Sequence, residues 1–273
     1  MKGLLGEWGG GRALRLLGSR VLRALLDLAS VVGWTPRSIR LLRIRWCRGL
    51  GVEVGAGPTP TLPPGDHHLL LDLDLAGTPN GYLCIRGDAS ALPLPSDRFD
   101  FLLSAHCLEH CPDTLRTLTE WRRVLRPGGI LFLILPHGGR GFDRGRTLST
   151  LAHHLEDQER TVGLLDPGPW AEWGAALNRT PPGWWSSGEF HLPSGEPDWP
   201  KIATSGRIHY HAWTEREMGE VLRHLEFDIL DTVPTPRDRL DSFLLIARRA
   251  GALRDGDRGR SGDRGQGPGA NQD

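Results

Sequence analysis

The stretch Gly51-Val-Glu-Val-Gly-Ala-Gly-Pro-Thr59 decides the fold. Its apolar run, Gly51 to Val54, reads as a short buried strand that breaks into a turn at Gly55 and Gly57. Glycine lets a chain turn tightly and lets its backbone approach a ligand, as in mononucleotide-binding α/β folds. Glu53 lies inside the apolar run, so its carboxylate needs a buried partner. A dinucleotide fingerprint, Gly-x-Gly-x-x-Gly, would place glycine at position 60, where Pro60 stands. Taken alone, the stretch fits a glycine-rich turn of other α/β proteins equally well.

Downstream, the pattern alternates. His67 to Asp72, Tyr82 to Ile85, Phe99 to Ser104 and Ile130 to Leu135 read as four further strands. Leu115 to Leu125 has helical periodicity, closed by a sharp turn at Pro127-Gly128-Gly129. Thr214 caps a helix to about Leu225, with Glu217 as its capping-box partner. Phe227 to Val233 and Ser242 to Ala247 finish the series. Strands and helices in this order predict a mostly parallel sheet covered on both faces. Between Gly57 and His67, prolines 58, 60, 63 and 64 disfavour the helix that usually follows a first strand.

Two regions stand outside this alternation. Residues 138–212 are too long for an ordinary connection, and tryptophans 170, 173, 184, 185, 199 and 213 lie in them or at their edge. Residues 1–48 read as a basic helical extension. Leu14, Leu17, Val21, Leu25 and Leu28 make an amphipathic helix over about 12–32, and a second short helix follows Pro36. Residues 1–50 carry Lys2 and nine arginines against Glu7 and Asp27, although the whole chain is neutral. Residues 249–273, with repeated Gly-Asp-Arg, read as a disordered tail.

The basic helices are expected to pack on the main domain. Peripheral membrane or partner contact through residues 12–48 is the alternative, and nucleic-acid binding is disfavoured because the charge is local and no recognised module accompanies it. Cysteines 47, 84, 107 and 111 lack the spacing of a zinc site. No cleavable leader or long apolar span is evident, so a reducing, cytoplasmic setting is the default expectation.

From Gly87 the chain reads Gly-Asp-Ala-Ser-Ala-Leu-Pro-Leu-Pro, then Ser104-Ala-His-Cys-Leu-Glu-His110, then Glu120-Trp-Arg-Arg-Val-Leu-Arg-Pro-Gly-Gly129. These motifs, in this order after Glu53-x-Gly-x-Gly, resemble the class I S-adenosylmethionine-dependent methyltransferases of the small-molecule type. The resemblance implies a Rossmann-like seven-stranded, mostly parallel sheet with helices on both faces. It also implies a domain over 49–248 with 138–212 as a substrate-side insertion. S-adenosyl-L-methionine is the implied cofactor. Its implied contacts are Glu53, Gly55, Ala56 and Gly57 at the loop, Asp72 and Leu73 at the ribose, Asp88 and Ala89 at the adenine, and Ser104. Leu92 and Leu108 are implied apolar contacts. Two stretches of the insertion, Phe142-Asp143-Arg144-x-Arg146 through His153-x-x-x-Asp157 and His209-x-His211-x-Trp213-Thr214, resemble a subgroup associated with glycan or polysaccharide biosynthesis.

Methyl transfer from a sulfonium is an in-line displacement, so alignment supplies much of the rate. A hydroxyl acceptor also gains from a base, and histidine has the right proton affinity. His106 and His137, each just past a strand, are the candidate bases, with His110 in the Leu-Glu-His turn a third that suits a structural or cofactor-side role equally well. Arg144, Arg146, His153, Asp157, His209, His211 and Trp213 are the candidate substrate contacts. Arg144 and Arg146 could instead pair with Asp143. His153, Asp157, His209 and His211 could ligate a divalent metal, but their scattered spacing favours a hydrogen-bonded network, and no metal is expected.

The tryptophans point to a ring-shaped or sugar acceptor. Methyl transfer to a hydroxyl of a sugar-containing small molecule or glycan precursor is therefore the leading expectation. N-methylation of an amino sugar or natural product is the alternative, and a silent cofactor-binding domain in a biosynthetic complex is a third reading.

Overall fold

The computed structural model describes residues 21, 24, 25, 37–65, 67–179 and 188–251. Most of the first basic helix, Trp184, Trp185 and the C-terminal tail lie outside the described residues. Seven strands form one sheet: β1 (Gly51–Val54), β2 (His68–Asp72), β3 (Leu83–Arg86), β4 (Phe99–Ala105), β5 (Leu125–Pro136), β6 (Phe227–Val233) and β7 (Ser242–Arg249). Their order is β3-β2-β1-β4-β5-β7-β6. Only β7 runs against its neighbours. The order reverses direction at β1, whose neighbours are β2 and β4, and in open α/β sheets the crevice at that reversal binds ligands. The expected fold is present, with its closing hairpin.

Apolar residues alternate across the sheet because successive strand side chains point to opposite faces. Leu102, Leu131, Leu133, Leu135, Phe243 and Leu245 pack with helices α2 (Thr114–Val124) and α6 (Glu215–His224). Phe101, Leu103, Phe132, Ile134, Leu244 and Ile246 face the other side, with helix α1 (Ile39–Trp46). That helix docks through Ile39 and Leu42, and its first N–H groups are capped from the β6–β7 connection. Asp238 accepts from Ile39 at 2.8 Å and Arg40 at 3.2 Å. Thr214 and Glu217 form the expected capping box of α6.

Pro127-Gly128-Gly129 departs from expectation. It is a bulge inside β5 rather than a turn before it. Phe99 pairs with Leu125 and Phe101 with Ile130, so the four residues 126–129 stand opposite Asp100 alone, three more than the ladder needs. Proline lacks the N–H the ladder would use, and a side chain at Gly129 would meet the carbonyls of Arg126 and Phe99 within 3.1 Å.

The insertion carries helices α3 (Leu151–Arg160), α4 (Trp170–Leu177) and α5 (Trp199–Thr204). It has a small core of its own, with Trp173, Leu177, Phe190, Ile202, Ile208 and Tyr210. Tyr210 N–H donates to the Glu109 carbonyl at 2.7 Å and Gly138 N–H to the Trp213 carbonyl at 2.7 Å, so the insertion is laced to the carboxyl edge of the sheet. No described helix is long and apolar enough to cross a membrane.

Candidate active site

The first wall of the site is the loop after β1. Glu53 is 1% exposed, and its two carboxylate oxygens accept from Thr61 and Leu62 N–H, each at 2.7 Å. Burial pushes this carboxyl up from its ordinary value, while those hydrogen bonds and Arg43 pull the other way. Among the described residues no helix follows β1; the carboxylate organises the proline-rich loop instead. A side chain at Gly55 would meet Cys107 Cβ and Sγ at 2.3 and 2.4 Å. Gly57 has φ of 55°, and a side chain there would meet nothing within 4 Å. The loop thus presses on Cys107, just past β4, through Gly55 and leaves an open ledge at Gly57. Ala56, between them, is buried.

Asp72 stands beside that ledge at the end of β2. Its Oδ2 accepts from Gly57 N–H at 2.9 Å, and Oδ1 from Asp74 N–H at 3.2 Å. Each oxygen keeps a further lone pair. Leu73 is 60% exposed beside it. Asp88 follows β3, and its Oδ1 accepts from the Ser90 N–H and hydroxyl at 2.7 and 2.8 Å. The Ala89 carbonyl accepts from Trp121 Nε1 at 3.0 Å, which fixes this turn to the core. Ser104 is fully buried, and its hydroxyl donates to the Val54 carbonyl at 3.0 Å, tying β4 to β1. Leu92 and Leu108 are core residues.

The three candidate bases differ in what holds them. His106 has φ of 53°, a left-handed conformation uncommon outside glycine. Its Nε2 lies 2.9 Å from Ser242 Oγ, and the Ser242 hydroxyl itself donates to Asp241 at 2.8 Å. His106 therefore donates to Ser242, and its Nδ1 faces Glu109 at 3.4 Å. His137 accepts the Gly139 N–H on Nδ1 at 2.9 Å and turns Nε2 to Glu215 at 3.6 Å. Burial, then Arg140, push its imidazole down. His110 lies 2.9 Å from the Ile208 carbonyl through Nδ1, which must donate, so Nε2 keeps its lone pair. Burial lowers the affinity of His110 for a proton, against the pull of Glu109.

The candidate substrate residues divide into separate groups. Arg146 is buried against Asp143, Nη1 to Oδ1 at 2.7 Å, and reaches the Tyr210 carbonyl at 3.3 Å. His209 gives Nδ1–H to the other Asp143 oxygen at 2.8 Å and stacks on Trp173. Arg144 contributes its carbonyl to Arg179 at 2.9 Å. His153 and His211 both reach Asp157 Oδ2, at 3.1 and 3.0 Å. This trio lines a cavity of about 340 Å³ with Thr150, Arg160 and Tyr210. Trp213 is fully buried in the main core, and its Nε1 donates to His154 Nε2 at 2.8 Å. His209 and His211 thus serve different clusters, because residues 207–212 form no strand that would put them on one face.

Sequence reasoning missed Glu109. It is fully buried between His106, His110 and His209; neither oxygen makes a hydrogen bond of normal geometry among the described residues, and His106 Nδ1 faces Oε1 at 3.4 Å. Burial works against its charge, but His106, His110 and His209 hold the carboxyl down at about 2. The apolar neighbours Leu108 and Cys111 were the available signal.

Residues 71–133 match the family described as "Methyltransferase domain". Over 57 residues the chain is 47% identical to 2-methyl-6-phytyl-1,4-hydroquinone methyltransferase 1, chloroplastic, of Oryza sativa subsp. japonica; this covers 21% of the chain and 17% of the rice protein. Over 76 residues it is 37% identical to ajmaline N-methyltransferase of Rauvolfia serpentina, covering 28% of the chain and 24% of that protein. In neither does the aligned stretch reach a quarter of the relative's length. Among solved structures, 1,6-didemethyltoxoflavin-N1-methyltransferase of Burkholderia thailandensis aligns with a TM-score of 0.41 at 18% identity, over 85% of this chain and 78% of its own. The match over residues 71–133 to a methyltransferase domain agrees with the resemblance read from the motifs.

Proposed function

We propose that this chain, as a class I methyltransferase, moves the methyl group of S-adenosylmethionine to a small natural-product-like acceptor. The observation that carries the reading is the Gly57 ledge beside Asp72, at the reversal of strand order. The residues suit the cofactor. Gly55, Ala56 and Gly57 would cradle its amino-acid end, Asp72 the ribose hydroxyls, exposed Leu73 the face of a ring, and Asp88 the adenine. Once bound, the cofactor supplies an electrophilic methyl on sulfur. The chain's own work is to orient the acceptor and exclude water.

The relatives' names favour a ring-bearing natural product over a glycan. One acts on a hydroquinone and one on the nitrogen of an alkaloid, by their names. His106 and His137 each have one nitrogen hydrogen-bonded and the other turned to a carboxylate, at 3.4 and 3.6 Å. That favours an acceptor needing no base at those positions, such as an amine lone pair. A sugar hydroxyl, the expectation from sequence, is the narrower reading.

The test is mass spectrometry with S-adenosylmethionine carrying a deuterated methyl group, offered in parallel to hydroquinones, alkaloid amines and glycosides. Label on a ring or amine acceptor is the expected result. Label only on glycosides would restore the sugar reading. Cofactor binding with no label on any acceptor would overturn turnover and favour a silent domain.

A further inference from the structure

We propose that Glu109, His110 and His209 form a site for one divalent first-row transition-metal ion at the carboxyl edge of the sheet. The three ligand atoms lie within 4.8 Å of one another. All three groups are acceptors there. His110 spends its Nδ1–H on the Ile208 carbonyl and His209 spends its own on Asp143, so each ring retains a lone pair on Nε2. The Glu109 carboxylate is fully buried and makes no hydrogen bond of normal geometry among the described residues; His106 Nδ1 faces Oε1 at 3.4 Å, and Oε2 has no partner among them. Three lone-pair donors converging with only the long His106 contact on one oxygen are costly unless a cation sits among them.

The supporting contacts have the form metal sites use. A ligating histidine commonly gives its other N–H to a carboxylate or backbone carbonyl, which fixes ring and tautomer. His209 with Asp143 is the first case and His110 with Ile208 the second. Asp143 is itself held by Arg146 at 2.7 Å. Two imidazoles and one carboxylate suit zinc, cobalt, iron or manganese and leave coordination positions open.

His153, Asp157 and His211 form the contrasting cluster. There the carboxylate already has a hydrogen bond from His211 at 3.0 Å, with His153 Nε2 at 3.1 Å from the same oxygen, so it is partnered without an ion.

His110 and His209 line a cavity of about 250 Å³ together with Phe142, Trp173, Leu177 and Arg207. An acceptor oxygen entering it could occupy an open position, and a bound cation lowers the proton affinity of such an oxygen. This role rests on the methyl-transfer reading; the metal site does not.

The experiment is titration of chelator-stripped, full-length protein with Co(II), without cofactor or acceptor, read by visible d–d absorption. We expect one equivalent bound, displaced by Zn(II), and a melting temperature raised by the ion. Glu109→Gln and His209→Gln should each weaken Co(II) at least tenfold, while His153→Gln leaves it unchanged. The melting shift of the unaltered protein serves if either variant fails to fold. No stoichiometric binding and no melting shift would overturn the site. Binding that survives both Glu109→Gln and His209→Gln, or that is lost with His153→Gln, would overturn it equally. Because neither cofactor nor acceptor is present, such a failure would leave methyl transfer standing.

Discussion

Glu53 Oε2 accepts the backbone N–H of Leu62 at 2.7 Å in the interior, while Oε1 accepts that of Thr61. One side chain in the middle of a strand thus replaces the helix turn that would otherwise shape this loop. Glu53→Ala strands one buried and one partly buried N–H and should cost roughly 2–4 kcal/mol, whereas Glu53→Gln keeps one acceptor and should cost about half as much. Urea denaturation of both variants measures this. Equal stability of Glu53→Ala and the unaltered protein would show that the loop does not depend on this carboxylate.

Gly55 is constrained twice, by φ of 73° and by Cys107, which a side chain would meet at 2.3 Å. Gly55→Ala should therefore destabilise and weaken cofactor affinity at least tenfold. Cys107→Gly removes the clash but not the backbone strain, so the double variant should recover part of the loss. The expected coupling is about 1–2 kcal/mol. Additive losses in calorimetric titration with S-adenosylhomocysteine, and in melting, would mean that the two residues do not press on each other.

His137 was a candidate base, and its contacts argue for positioning. Nδ1 holds the start of the insertion through Gly139, and Nε2 is turned to Glu215. His137→Asn should lower kcat less than about tenfold, against the 10²–10⁴ typical of a lost general base. A larger loss, with the acid limb of the pH–rate profile abolished, would restore His137 as the base.

Much of this was legible in sequence because it was local. The β1 turn, the Thr214–Glu217 box and the Asp143–Arg146 pair each lie within a few residues. Pro127-Gly128-Gly129 misled because the same residues serve a turn or a bulge, and only pairing with Phe99 and Phe101 decides between them. Glu109 was missed for a different reason. In a short turn an acidic residue reads as surface, and its environment includes the insertion, which brings His209 and Tyr210 against it from far along the chain.

His154 provides a pH test of the core. Burial, then His211 and His153, push its imidazole down to about 2, and its Nε2 accepts the Trp213 N–H. Protonation would place a second hydrogen against that donor. A histidine near 6.5 when unfolded and far lower when folded binds its proton only on unfolding. Its contribution is therefore complete above pH 6.5 and is lost as pH falls below it. The slope approaches about 1.4 kcal/mol per pH unit for one such proton. His211 and His137 are lowered too and act in the same direction. Carboxylates held low, such as Glu120 and Asp238, add their losses only at more acidic pH, and the raised Glu53 works in the opposite sense. Between pH 7 and 5 the unaltered protein should lose stability steeply, while His154→Gln, which keeps an acceptor for Trp213, should show a slope shallower by about one proton. Parallel slopes in denaturant titrations across that range would show that His154 takes up its proton without unfolding.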